Sequence, residues 1–93
     1  MTINRLKELR SEIERVDAML ITMVAERTAL ARAIGEVKAE QGLPVTDPAR
    51  EAAVVANAAR LARDAGLPEE EIRTLYWQLL ALARQVQVKG VPA

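Results

Sequence analysis

One cation stands where a helix seam should be apolar. Positions 6, 9, 13, 16, 20, 23, 27, 30, 34 and 37 advance by alternating steps of three and four, and nine of the ten are apolar. The tenth is Arg27. A guanidinium without an anion in a core costs several kcal/mol, so Arg27 needs a partner. A carboxylate from another helix or an anionic ligand would serve, and the pattern leaves both open. Lys38 follows eleven residues later, about three turns on, which puts the two cations on one face roughly 16 Å apart. Lys38 is also in the last turn, where any cation is favoured by the helix dipole. Arg10 lies seventeen residues before Arg27, about 25 Å along the axis and rotated by about 100°. It cannot share a small ligand with Arg27 on one helix. An antiparallel second copy would bring it there; an exposed pair with Glu14 is the alternative.

Further polar groups fall on later elements. Arg50 sits in the first turn of a second helix, where the dipole disfavours a cation. Glu51 beside it is comfortable at that end and reads equally as a surface charge. Asp47 is placed to cap the same helix, with Pro48 at the first position, where the missing N–H costs nothing. Gln87 continues the line Tyr76, Leu80, Ala83 on a third helix, at the edge of an apolar stripe or at a solvated end. The chain has no His and no Cys, which removes the commonest general base, thiol chemistry and the commonest metal ligands. No nucleophile has a base beside it. Together the residues suggest a cationic pocket with one neutral donor and one acid. Such a pocket suits a small polyanion and a reaction driven by positioning and electrostatics, with no cofactor.

The elements that must position these groups are three helices. The seam predicts one helix over residues 3–40, roughly 55 Å long. A second runs from Pro48 to about Ala65, ended by Gly66. A third opens at Pro68, carries Glu69, Glu70 and Glu71 at its positive end, and presents Ile72, Leu75, Leu79, Leu82 and Val86. Gly90 and Pro92 mark the tail. The fold class is all-α, in one domain over residues 1–93. Two short helices can only just line the long one, so the seam is best buried against another copy. An intertwined, two-fold homodimer is expected.

Composition narrows the function classes. Thirteen Lys and Arg balance thirteen Asp and Glu, which argues against a nucleic-acid partner or a polybasic membrane anchor. Two aromatic residues, Trp77 and Tyr76, make no base-stacking platform. No apolar run approaches the ~20 residues of a membrane span. Arg5, Lys7, Glu8 and Arg10 interrupt any signal-peptide core, so a cytoplasmic location is expected.

The chain resembles the all-helical chorismate mutases. The resemblance rests on Leu6 to Asp17, Leu20 to Arg27, Ile34-Gly35-Glu36-Val37-Lys38, Pro44-Val45-Thr46-Asp47-Pro48-Ala49-Arg50-Glu51, and Gln87. It implies a pericyclic rearrangement of chorismate to prephenate, a step of aromatic amino acid biosynthesis, in sites shared between two subunits. It further implies that Arg27 and Lys38 grip the substrate's carboxylates, with Arg10 arriving from the other subunit. Lys38 and Gln87 would donate to the ether oxygen. Arg50 would support the carboxylate end. Glu51, with the backbone at Asp47, would accept from the ring hydroxyl at C4. The family often has a small hydroxyl residue where this chain has Ala83, so one polar contact to the ligand is lost.

Two relatives share the scaffold. Isochorismate-pyruvate lyases resemble this chain around Gly66-Leu67 and Leu75 to Gln78, but carry an apolar residue where Glu51 stands here. Enzymes that rearrange 4-amino-4-deoxychorismate would accommodate Glu51 as well as the mutases do. A non-catalytic helical dimerisation module is the alternative from another class.

Overall fold

The computed structural model describes residues 3–89 and is all-helical. Its elements are α1 (Ile3–Gln41), α2 (Pro48–Asp64) and α3 (Glu69–Lys89). The tail punctuation at Gly90 and Pro92 lies outside the described residues.

The two joints are built by the punctuation residues. At the end of α1, Gly42 takes a positive φ of 67°. Leu43 N–H then donates to the Lys38 carbonyl at 2.8 Å, and Gly42 N–H to that of Ala39 at 3.3 Å. The end of α2 repeats the pattern: Gly66 has φ 74°, and Leu67 and Gly66 N–H donate to the carbonyls of Ala62 and Arg63 at 2.8 and 3.1 Å. These bonds satisfy carbonyls that a helix end leaves without partners. Asp47 caps α2, its Oδ1 accepting from Arg50 N–H at 3.1 Å. The sequence suggests that Pro68 opens α3; in the structure it stands just before the helix. Its carbonyl accepts the first helical bond, from Ile72 N–H at 3.2 Å.

α3 packs against both other helices. Arg27 lies beside Tyr76 and Gly35 beside Gln87, so α1 and α3 run in the same direction. Contact between α2 and α3 is made largely of small side chains. Val55, Ala58, Ala59 and Ala62 of α2 are buried, with Leu80 and Val86 of α3. Alanine lets two helix backbones approach closely, which explains how this Ala-rich helix, weak in large apolar residues, finds a partner. The face of α3 differs in part from the sequence expectation: Leu80 is buried, whereas Leu75 is 51% exposed.

The long seam is not covered within one chain. Only Ala31 and Gly35 of α1 are buried. From Ile3 to Met23 every residue except Leu9 is exposed. The molecule measures 59 × 30 × 15 Å and has a radius of gyration of 16.8 Å, against about 12 Å for a globular chain of this length. Ile13, Val16, Leu20 and Met23 thus leave an apolar ridge in water, although burial of each would contribute about 1.5–3 kcal/mol. Contiguous apolar surface of this kind marks an interaction face. Among the described residues no helix is long and apolar enough to cross a membrane.

Gly35 fixes the approach of α1 to α3. A Cβ at this position would lie 2.9 Å from Cγ and 3.0 Å from Cα of Gln87. The Cα belongs to the α3 backbone and cannot rotate away. Gly35→Val should therefore push the helices apart and destabilise the chain by about 1–3 kcal/mol. A urea-unfolding midpoint unchanged at fixed protein concentration would contradict this reading.

Candidate functional site

The three helices and the α1–α2 joint enclose a cavity of about 310 Å³. That is the small end of the ~300–1,000 Å³ range of ligand pockets. Its apolar walls include Leu30, Ile34, Val54 and Leu80. Arg27, Lys38, Asp47, Arg50, Glu51, Ala83 and Gln87 all line it, although they are spread over sixty residues of sequence.

Each group is held differently. Arg27 is half-buried, with its guanidinium carbon 5.8 Å from the centre of the Tyr76 ring. That is a cation–π distance, and it leaves the guanidinium hydrogens free. Lys38 donates from Nζ to the Val45 carbonyl at 2.8 Å. Its backbone carbonyl also closes the end of α1, so one residue ties helix and joint together at the cavity rim. Two of its three ammonium hydrogens remain available. Gln87 is placed by the close contact of its Cα and Cβ with Gly35, and its amide has no partner among the described residues. Ala83, half-buried, leaves space and no donor.

Among the described residues, Arg27, Lys38 and Arg50 pair with no carboxylate. The structural ion pair that could have explained Arg27 is therefore not formed there. Of the described residues, four cations face the cavity, Arg84 being the fourth, against two acids, Asp47 and Glu51. Asp47 is engaged as the α2 cap. The surplus of two positive charges matches a guest with two negative ones.

Arg84 is the lining residue that sequence reasoning missed. From the sequence it reads as a helix-end cation. In the structure its Nε lies 3.5 Å from Oε2 of Glu51. Glu51 is accordingly no free surface charge: its side chain is only 15% exposed. A signal was available, because Leu80, Ala83, Arg84 and Gln87 follow the spacing of a single helix face. Arg10 is the one candidate that the cavity does not include. It is exposed on the uncovered part of α1, and among the described residues it forms no pair with Glu14.

Fold and cavity together define an all-helical scaffold around a cation-lined cavity whose charge suits a small dianion, with no nucleophile–base pair among its described lining residues. The sequence profile of the family described as chorismate mutase type II matches residues 9–88. The chain belongs to that family. A chorismate mutase from Methanocaldococcus jannaschii is 31% identical over 78 residues, covering 84% of this chain and 78% of that protein. A 4-amino-4-deoxychorismate mutase from Streptomyces pristinaespiralis is 41% identical over 71 residues, covering 76% of this chain and 55% of that one. The solved chorismate mutase (form II) from Thermus thermophilus superposes with a TM-score of 0.85 at 29% identity, over 91% of this chain and 96% of that one. Other relatives are far longer: this chain spans 25% of a bifunctional chorismate mutase/prephenate dehydratase from Aquifex aeolicus.

Proposed function

We propose that this chain rearranges chorismate to prephenate, as a homodimer whose sites are shared. The observation that carries the reading is the trio Arg27, Lys38 and Arg50 on the cavity wall, which pair with no carboxylate among the described residues, in a chain of this family. The reaction is unimolecular. The ether C–O bond breaks as a C–C bond forms, electrons move around a ring of six atoms, and no proton is transferred. What an enzyme adds is restraint of the compact conformer and stabilisation of charge growing on the ether oxygen.

The residues fit those two tasks. Arg27 and Lys38, with Arg10 of the partner subunit, hold the two carboxylates and so enforce the compact form, and Arg50 supports the carboxylate end. Lys38 and Gln87 donate to the ether oxygen, and a donor aimed at such charge is worth about 3–4 kcal/mol. Glu51 receives the ring substituent at C4. The exposed α1 seam supplies the dimer interface, and its burial brings a second chain alongside the cavity. A second reading, 4-amino-4-deoxychorismate as substrate, is favoured by relatives of that name at 37% and 41% identity.

Chorismate consumption, followed by its ultraviolet absorbance, tests the proposal. Purified wild-type chain should convert it to prephenate, and Gln87→Ala should lower kcat more than it raises KM. No loss of chorismate at micromolar protein would overturn the assignment. An unchanged kcat in Gln87→Ala would remove that residue from the mechanism.

A further inference from the structure

Glu51 and Arg84 meet on the cavity wall from two different helices, the acid in the first turn of α2 and the base on α3. Their side chains are 15% and 41% exposed. The cavity's other acid, Asp47, is tied to the backbone at Arg50. Asp47 is also exposed, whereas Glu51 is held out of bulk water with Oε2 toward Arg84, so Glu51 is the wall carboxylate whose second oxygen, Oε1, is placed to receive a guest. A guest bearing two carboxylates must keep both away from Glu51 and turn a hydrogen donor toward it. With its acids ionised, chorismate has a single hydrogen donor, the ring hydroxyl at C4. In the 4-amino-4-deoxy analogue the same carbon bears a primary aliphatic amine, protonated at neutral pH.

On the reading that the guest is a chorismate-type dianion, we infer that Arg84 decides between these two substrates by neutralising Glu51, so that the wall accepts a hydroxyl and disfavours an ammonium. Glu51 alone would have the opposite preference. Both groups can donate to a lone carboxylate, but an ammonium adds an attraction between opposite charges that a hydroxyl lacks, so the carboxylate alone draws the ammonium more strongly. With Arg84 beside it, the pair is neutral overall. An ammonium reaching Oε1 then meets a guanidinium of its own sign, at a partly buried site where salt screens weakly. Arg27, Lys38 and Arg50 face the same space and add to the repulsion, while Asp47 is the one other acid there. A hydroxyl carries no net charge and meets none of this. Arg84 acts through Glu51 and need not touch the reacting atoms, which makes it a specificity-determining residue and not a catalytic one.

The test is kcat/KM for chorismate and for 4-amino-4-deoxychorismate, measured on wild type, Arg84→Gln and Arg84→Lys across neutral to alkaline pH. Wild type should favour chorismate. Arg84→Gln should move the ratio toward the amino substrate by about tenfold, the size expected for like charges in a partly exposed site. Arg84→Lys keeps the charge and should keep most of the preference. In wild type the amino substrate should gain on chorismate as pH rises and its amine loses the proton; in Arg84→Gln that gain should vanish. A ratio within about twofold of wild type in Arg84→Gln would overturn the inference, as would Arg84→Lys behaving like Arg84→Gln, or a wild type that prefers the amine. Turnover of both substrates with an unmoved ratio defeats this inference alone. Turnover of neither by wild type defeats the proposed function, and the inference with it.

Discussion

Arg27→Leu is expected to leave the helices folded and to lower kcat/KM by about 10²–10³-fold. The direction follows from what Arg27 touches. Its guanidinium rests over Tyr76, pairs with no carboxylate among the described residues, and faces the cavity. Removing it breaks no ion pair there, so no acid is left stranded. Leu at this position restores the apolar pattern of the seam, and the thermal midpoint should hold or rise. In a protein that only dimerises through this seam, the same substitution would stabilise the dimer with nothing lost. The two readings therefore diverge in one experiment, with turnover and thermal unfolding measured on the same sample. Undiminished turnover would show that Arg27 does not bind the substrate. Lost turnover together with lost helicity would instead make Arg27 a structural residue.

How much of this was legible in the sequence depends on the range of the interactions concerned. Helix ends are local: Asp47 with Pro48, and Gly66 with the residues before it, declare themselves within a few positions, and the observed bounds fall within about a residue of those expected. The α1 seam is also local, since its period can be read along one helix. What covers it cannot be read that way, because the chain leaves it open. The α2–α3 contact was poorly visible, since alanine suits a buried face and an exposed one equally well. Ala58, Ala59 and Ala62 are distinguished from Ala52, Ala53 and Ala56 by burial alone. The Glu51–Arg84 pair joins residues 33 positions apart on antiparallel helices, and no pattern within either helix reports it. Gly35 lies inside α1, away from the glycines that mark the joints. Its reason is the backbone of α3, which passes where its side chain would stand.

The second large effect expected is rescue between two inactive variants. Arg10 is exposed, outside the described cavity of its own chain, and on the part of α1 that no described residue covers. In the proposed homodimer, a second chain laid antiparallel on the seam would bury the apolar ridge and carry its Arg10 toward the first chain's cavity. In such a dimer each site takes Lys38 from one chain and Arg10 from the other. Arg10→Ala and Lys38→Ala homodimers each lack one group at both sites and should be nearly inactive. A mixed dimer is different. One of its sites lacks both groups, but the other combines the intact Lys38 of one subunit with the intact Arg10 of its partner. Purified mixed dimers should thus recover about half of wild-type activity, and a statistical exchange of equal amounts about a quarter, by counting sites in a two-fold assembly. Tagging the two chains differently allows the mixed species to be isolated before assay. If Arg10 serves only its own chain, one site of the mixed dimer lacks Arg10 and the other lacks Lys38, so activity stays at the level of the inactive parents. Verified mixed dimers without recovery would therefore confine Arg10 to its own subunit. Recovery near one half would place a guanidinium from each chain in the other's pocket, which explains why the helix that carries it extends so far beyond the rest of the fold.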